Sequence, residues 1–387
     1  MKDIVVNFFE ERFGTFMEGA VCFAPGRVNL IGEHIDYNGG HVFPCALSMG
    51  TYAAARKRND RKLMFCSANY PELGIVEGSL DELGYDPEEG WTVYPKGVMH
   101  ELIRRGYEIP CGLEMMFYGN LPQGAGLSSS ASIEVLTGTF LNELFGFGLS
   151  PEEIASIGQA AENDYVGVKC GIMDQFASAM GRKDHAILLN TSSMEHSYVP
   201  IAMEGYKIVI IDSNVPHKLS DSQYNERRSE CARGLEMLRQ ASDIKAICDL
   251  DSVEFEKYKG VIDDPVVLRR VRHAVYENER TLDAAALLSA GDITGFGRLM
   301  NESHISLRDD YEVTGPELDV LAEEAWKIKG CIGSRMTGAG FGGSTVSIVA
   351  EDALDDFEDE VGAAYRRRTG LMADFYMADI GDGARVL

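Results

Sequence analysis

The chain has 387 residues, 45% hydrophobic and 25% charged, an ordinary globular balance whose length favours two domains sharing a cleft. Thirty-six basic against 61 acidic residues leave a formal net charge of -25, which argues against nucleic acid or anionic lipid as a partner, since both need clustered Lys and Arg. A polyanionic ligand would need a local positive field from backbone N–H groups, a helix N-terminus and a bound cation.

The first eleven residues carry Asp3, Glu10 and Glu11 and no basic region followed by an apolar one, so no signal peptide is expected. No stretch approaches the ~18 apolar residues of a spanning helix. The eight cysteines are scattered without a C-x-x-C pair, which predicts free thiols in a reducing cytoplasm rather than a zinc or redox motif.

In chain order, residues 20–24, 51–56 and 113–118 read as strands, with a turn-rich stretch at 32–40. Ile133, Leu136, Phe140, Leu141 and Leu144 recur at helical spacing and predict an amphipathic helix over about 130–145. A second helix is expected over 151–166, with Ser150 as N-cap and Pro151 at its first position. Residues 207–212, KIVIID, read as a buried strand, and a domain change is placed near residue 195, giving domains 1–195 and 196–387. Helical patterns follow at 224–241, 266–290 and 315–329, with strands at 344–349 and 373–377. Strands and helices that do not strictly alternate predict an α+β fold in both halves.

Three stretches carry the chemistry. Residues 120–132, NLPQGAGLSSSAS, follow a strand and enter a helix. Their glycines let a ligand approach the main chain, and the serines stand where unpaired N–H groups and the helix dipole favour anions. No Gly-Lys-Ser/Thr follows, which removes the Walker loop. Residues 335–344, RMTGAGFGGS, precede a β-branched run rather than a helix. A dinucleotide fingerprint is thereby excluded, leaving a loop that lies against a ligand or the other domain's backbone. Residues 24–40, APGRVNLIGEHIDYNGG, gather Arg27, Glu33, His34, Asp36, Tyr37 and Asn38, a density of donors and acceptors suited to a polyhydroxylated ligand. Adjacent Glu33 and His34 on an extended chain point to opposite faces, which argues against one shared metal. Asp174 lies just before a helical run, without the Glu or Gln three residues on that would mark a capping box. Tyr224 sits early in a polar helix, where half-exposed packing is the default role.

Together these stretches resemble the GHMP kinase superfamily and, within it, the galactokinase branch: GRVNLIGEHIDYNGG is similar to the galactokinase signature, LPQGAGLSSSAS to the second superfamily motif and GAGFGGS to the third. One departure is Ile35, where many members carry Thr. The resemblance implies two mixed α/β domains with the active site in the cleft between them, and ATP-dependent phosphorylation of galactose at its C1 hydroxyl. It implies Arg27 and Asp174 as the catalytic pair, and Glu33, His34, Asp36, Gly171, Asp174 and Tyr224 as sugar contacts. Gly124, Ala125, Gly126, Leu127, Ser128, Ser129 and Ser130 fall on the triphosphate loop, with Ser130 (or Ser129) and Glu162 as the magnesium environment. Tyr94 and Lys96 are expected to precede a helix near the adenine. Asp174 could remove the hydroxyl proton or only orient the hydroxyl. N-acetylgalactosamine is the alternative acceptor. A non-catalytic sugar and ATP sensor is a further alternative, against which stand the uninterrupted GLSSSAS and the presence of both Arg27 and Asp174. The expected partners are galactose, ATP and Mg2+, with no nucleic acid or membrane, and the chain is expected to act as a cytoplasmic monomer.

Overall fold

The computed structural model describes residues 1–122, 124–201, 203–215 and 220–387. Gln123, in the second motif, lies outside the described residues.

The first sheet is built on the strand Gly19–Asn29, buried almost end to end. Arg385–Val386 and Pro44–Lys57 flank it, and Leu113–Gly119, Lys62–Ser67 and Ile75–Ser79 follow outward. The pairing is antiparallel except between Lys62–Ser67 and Leu113–Gly119. Alternation along these strands separates two packed faces. Ala20, Cys22, Ala24, Ala53 and Ala55 join the main core with Val135, Leu136, Phe140 and Leu141 of the helix Ser129–Phe145, and the small strand residues let that helix sit close. Val21, Ala54 and Met116 on the other face are covered by Val5 and Phe9 of the helix Lys2–Phe13. Fully buried Phe9 contributes about 1.5–3 kcal/mol to that closure.

The second sheet, fully antiparallel, has the order Cys331–Thr337, Ser344–Ala350, Tyr206–Asp212, Asp374–Ala378. The helices Ile293–Ser306 and Gly315–Ala325 pack on it. A small sheet of His41–Val42, His185–Asn190 and His196–Pro200 packs against the strand Pro44–Lys57 and the helix Pro265–Ser289. Residue 195 falls in the turn joining the last two of these strands, and the chain's final strand returns to the first sheet. Helices and strands are mixed in both halves, as the sequence predicts.

The strands expected at 207–212, 344–349 and 373–377 appear within one residue of their predicted ends. Three predictions need correction. The helix expected over 151–166 is α-helical only for Pro151–Ala160, begun by a Ser150–Glu153 capping box, and finishes as a π-helical turn, Ala161–Val166. The helix expected over 315–329 stops at Ala325. Tyr94 and Lys96 lie inside the helix Val93–Arg104 rather than before it. The helices Lys2–Phe13 and Leu354–Thr369 and the strands Lys62–Ser67 and His185–Asn190 have no counterpart in the sequence reading.

Candidate active site

Arg27 owes its direction to an irregularity in its strand. Pairing between Gly19–Asn29 and Pro44–Lys57 shifts register between Pro25 and Arg27, as at a β-bulge that re-aims a side chain. The intervening Gly26 has no space for a side chain, since a Cβ there would meet Leu121 at 2.6 Å and the Leu127 carbonyl at 2.7 Å. The re-aimed guanidinium meets Asp174, in the first turn of the helix Met173–Met180. Nε donates to Oδ1 at 2.8 Å and Nη2 to Oδ2 at 2.9 Å, a two-pronged ion pair that fixes the carboxylate plane. Ser128 Oγ also donates to Oδ2. Asp174 is no N-cap; its oxygens face this cluster, with 28% of its side chain exposed against 5% for Arg27.

The glycine loop is held from behind by its carbonyls. Ser344 Oγ donates to Ala125 O at 2.7 Å, Arg27 Nη1 to Gly126 O at 2.9 Å, and the Arg27 N–H to Leu127 O at 3.2 Å. Gly124 and Gly126 have φ of 77° and 69°, and Ser128 reaches 61°, strain in a non-glycine residue where the loop turns into the helix. The third motif packs on this loop: a Cβ on Gly338 would lie 3.2 Å from Gly126 O, which places that motif against backbone as its composition implies. The N-terminal turn of the helix Ser129–Phe145 then opens onto the cavity with N–H groups that have no intrahelical acceptor. Ser130 Oγ donates to Glu162 Oε1 at 3.1 Å. The π-helical turn carries Glu162, and such an inserted turn rotates its side chains out of regular α-helical register.

The polar loop supplies the opposite wall. Glu33 is buried: Oε1 accepts from the Gly338 N–H at 2.7 Å and Thr337 Oγ1 at 3.2 Å, and Oε2 from Asn29 Nδ2 at 2.9 Å. It thereby ties the first motif to the third. Burial pushes the His34 pKa down to about 3, so the ring is neutral. Its Nε2 faces Ala339 O at 3.0 Å and must carry the proton, which leaves Nδ1 to accept from Tyr37 Oη at 2.8 Å. Tyr37 then accepts from Tyr311 Oη, also at 2.8 Å, and Tyr311 from the Cys231 thiol at 3.1 Å. The expected sugar contact His34 therefore lines the cavity with both ring nitrogens engaged by protein. A second π-helical turn, Leu307–Tyr311, delivers Tyr311.

Asp36 and Gly171 meet directly: a Cβ on Gly171 would lie 1.8 Å from Asp36 Oδ2. Burial, with Asp174 and Glu33 nearby, pushes the Asp36 carboxyl from 3.8 up to about 7. Between those values the folded chain keeps a proton that the unfolded chain has released. The stability contributed by this group therefore falls as pH rises through that window. Asp36→Asn removes the dependence, so its thermal midpoint without ligand should exceed that of the parent at about pH 8 and converge with it near pH 4. Parallel melting curves across pH check this, and a constant offset would contradict it.

One cavity of about 470 Å³ is lined by Arg27, Glu33, His34, Asp36, Gly171, Asp174 and Tyr224 together with Gly124, Gly126, Leu127, Ser128, Ser129, Ser130 and Glu162. Ala125 alone among the expected site residues does not line it; its side chain is buried behind the loop. Tyr94 lines the cavity, whereas Lys96 is buried in an ion pair with Glu89 at 2.6 Å. Sequence reasoning missed Ala339, Tyr311, Glu134 and Gln175. Ala339 lies within the third motif and Gln175 beside Asp174, whereas Tyr311 and Glu134 left no signal. All eight cysteines are free, as expected, but of the buried thiols the sequence suggests, only Cys22, Cys45, Cys66 and Cys231 are buried, the other four being half-buried. Among the described residues no helix is long and apolar enough to cross a membrane.

Known proteins with similar sequences bear on this geometry. The galactokinase galactose-binding signature matches residues 7–57, the GHMP kinases N terminal domain residues 94–182, and the GHMP kinases C terminal domain residues 284–367. A galactokinase of Clostridium beijerinckii is 54% identical over 366 residues, covering 95% of this chain and 94% of that protein. One from Bacillus subtilis is 50% identical over 387 residues, covering 100% and 98%. The crystal structure of Lactococcus lactis galactokinase complexed with galactose superposes with a TM-score of 0.97 at 45% identity, covering 100% of this chain and 99% of that one. Methanococcus jannaschii mevalonate kinase, at 17% identity and a TM-score of 0.68 over 96% of this chain and 100% of that one, shares the fold alone.

Proposed function

The chain belongs to the galactokinase family of the GHMP kinases, and we propose that it transfers the γ-phosphoryl group of ATP to the C1 hydroxyl of galactose, using Asp174 and Arg27 as its catalytic pair. The observation that carries this reading is the convergence of the polar loop, the anion-binding helix start and the Arg27–Asp174 pair on one cavity.

Phosphoryl transfer demands alignment and charge stabilisation more than covalent chemistry. Asp174 accepts two hydrogen bonds on Oδ2 and one on Oδ1, and two carboxylate oxygens offer about four acceptor sites. An acceptor position therefore remains on Oδ1 for the sugar hydroxyl, and Asp174 takes its proton as the new P–O bond forms. Arg27 has three of its five N–H groups engaged, which leaves two for the phosphoryl oxygens. Asp36, Glu33 and Tyr224 bound the sugar, and the loop from Gly124 to Ser130 cradles the triphosphate.

Ser130 Oγ and Glu162 Oε1 form a hard oxygen pair suited to magnesium. Among the described residues no group of three or more His, Cys, Asp or Glu side chains could hold a metal, which fits an ion carried largely by nucleotide phosphates and water. Magnesium held there by Ser130 and Glu162 would neutralise phosphate charge in a protein whose own charge repels it.

The direct test couples ADP release to a panel of free sugars including galactose, N-acetylgalactosamine and glucose, with the phosphorylated carbon located by NMR. Galactose 1-phosphate is the expected product, and absence of turnover with every sugar would sink the proposal. Gly171→Ala should raise KM for galactose by at least about tenfold while KM for ATP stays within about twofold, because the three atoms nearest the added carbon all belong to Asp36. Initial-rate kinetics varying each substrate in turn check it.

A further inference from the structure

Behind the glycine loop, three buried side chains face one another. Gln175 is fully buried, and its Nε2 donates to Glu162 Oε2 at 2.7 Å and to Glu134 Oε2 at 2.9 Å. With both N–H groups engaged by carboxyl oxygens on different helical segments, the amide cannot rotate without breaking a bond. Glu134 stands one helical turn beyond Ser130. Gln175 follows Asp174 in the first turn of the helix Met173–Met180. The far oxygens, Gln175 Oε1 and Glu134 Oε1, are buried without a hydrogen-bond partner. Bare buried polar atoms cost stability, and an apolar cluster of the same shape would pack this region more securely. The use of an amide that bridges two carboxyl groups on different helical segments is to fix how each of them points.

That use is legible at Glu162, whose two oxygens have separate duties. Oε2 points inward to Gln175 Nε2 and accepts from the Cys170 thiol at 3.4 Å. Oε1 points to Ser130 Oγ beside the cavity. We propose that Gln175 is a positioning residue for the metal arm: it pins the inner oxygen of Glu162 so that the outer one is presented, together with Ser130 Oγ, to the magnesium of Mg·ATP. The inference rests on the reading of Ser130 and Glu162 given above. A ligating carboxylate whose second oxygen is released can swing away, and loss of such an outer partner typically costs ~10–100-fold in metal affinity. The same helical turn carries Asp174, so the proton acceptor and the brace of the metal arm are mounted on one rigid element.

The experiment is calorimetric binding of β,γ-imido-ATP with and without Mg2+, in the parent and in Gln175→Met, which keeps length and volume but donates no hydrogen bond. Magnesium should tighten binding to the parent, and in Gln175→Met that gain should shrink by at least about tenfold. Metal-free binding of the analogue and binding of galactose should stay within about twofold. A merely structural amide would weaken all three alike. Cys170→Ala, which removes the other donor to the same oxygen and a sulfur 3.8 Å from Gln175 Nε2 while leaving the amide itself in place, keeps the idea testable if Gln175→Met folds poorly. It should lose about threefold of the magnesium gain, and Cys170→Ser should restore it. An undiminished gain in Gln175→Met, or in Cys170→Ala should the first variant not fold, overturns the idea that pinning Glu162 Oε2 presents Oε1 to the metal. No gain in the parent overturns the metal reading of Ser130 and Glu162 as well.

Discussion

Asp174→Asn should lower kcat by at least about 10²-fold while leaving the fold and galactose binding in place. The substitution keeps one oxygen and the side-chain shape, so an Asn that turns its amide oxygen toward Arg27 Nε preserves one prong of the contact seen at 2.8 Å. What it loses is the ability to take a proton. If Asp174 only orients the hydroxyl, the amide oxygen could still accept that hydrogen bond, and the loss would be about tenfold or less. The magnitude thus separates the two roles that the sequence leaves open. Arg27 keeps acidic neighbours in Glu33 and Asp36, so the variant is expected to fold. Steady-state kinetics with calorimetric sugar binding and a melting curve make the measurement. Turnover within tenfold of the parent, with sugar binding intact, would end the assignment of Asp174 as proton acceptor.

Legibility in the sequence followed contiguity. The glycine loop, the polar loop and the third motif are each short runs, so their residues could be read together before any fold was known. Their convergence is what the structure adds, through contacts such as Gly338 on Gly126 and Glu33 Oε1 on the Gly338 N–H, 305 positions apart. The parts that stayed hidden depend on such distances or on local departures from regular structure. Residues 151–166 have a helical pattern throughout, and nothing in that pattern marks where the α-helix opens into the π-helical turn that aims Glu162. Glu134 sits in a helix whose apolar spacing is its strongest signal, and its buried position beside Gln175 follows from tertiary packing alone. The engagement of His34 by Tyr37 and Tyr311 spans 274 positions between the two phenols; composition shows only that polar side chains are dense there. Net charge misleads in the same way, because the cation that matters, Arg27, is buried beside Asp174 rather than spread over the surface.

Arg27→Lys should reduce kcat by about 10²-fold or more with only a modest loss of stability. Arg27 contacts three acceptors, Asp174 Oδ1, Asp174 Oδ2 and Gly126 O, from a planar fork that keeps two further N–H groups. An ammonium conserves the charge but has three N–H groups in a tetrahedral array. With one carboxylate oxygen and the carbonyl satisfied it has a single N–H left for the phosphoryl group, whereas Arg27 holds both carboxylate oxygens and the carbonyl and keeps two. Breaking a fully buried pair outright costs about 3–5 kcal/mol. Asp174 is 28% exposed, so water recovers part of that cost even when the charge is removed in Arg27→Met, and a loss nearer 1–3 kcal/mol is expected there. The order of the effects is therefore informative. Lys should fall between Arg and Met in stability while resembling Met in turnover, because stability follows the charge and catalysis follows the fork. Melting curves and initial rates on both variants test this, and a Lys variant with near-parental kcat would show that charge alone suffices at this position.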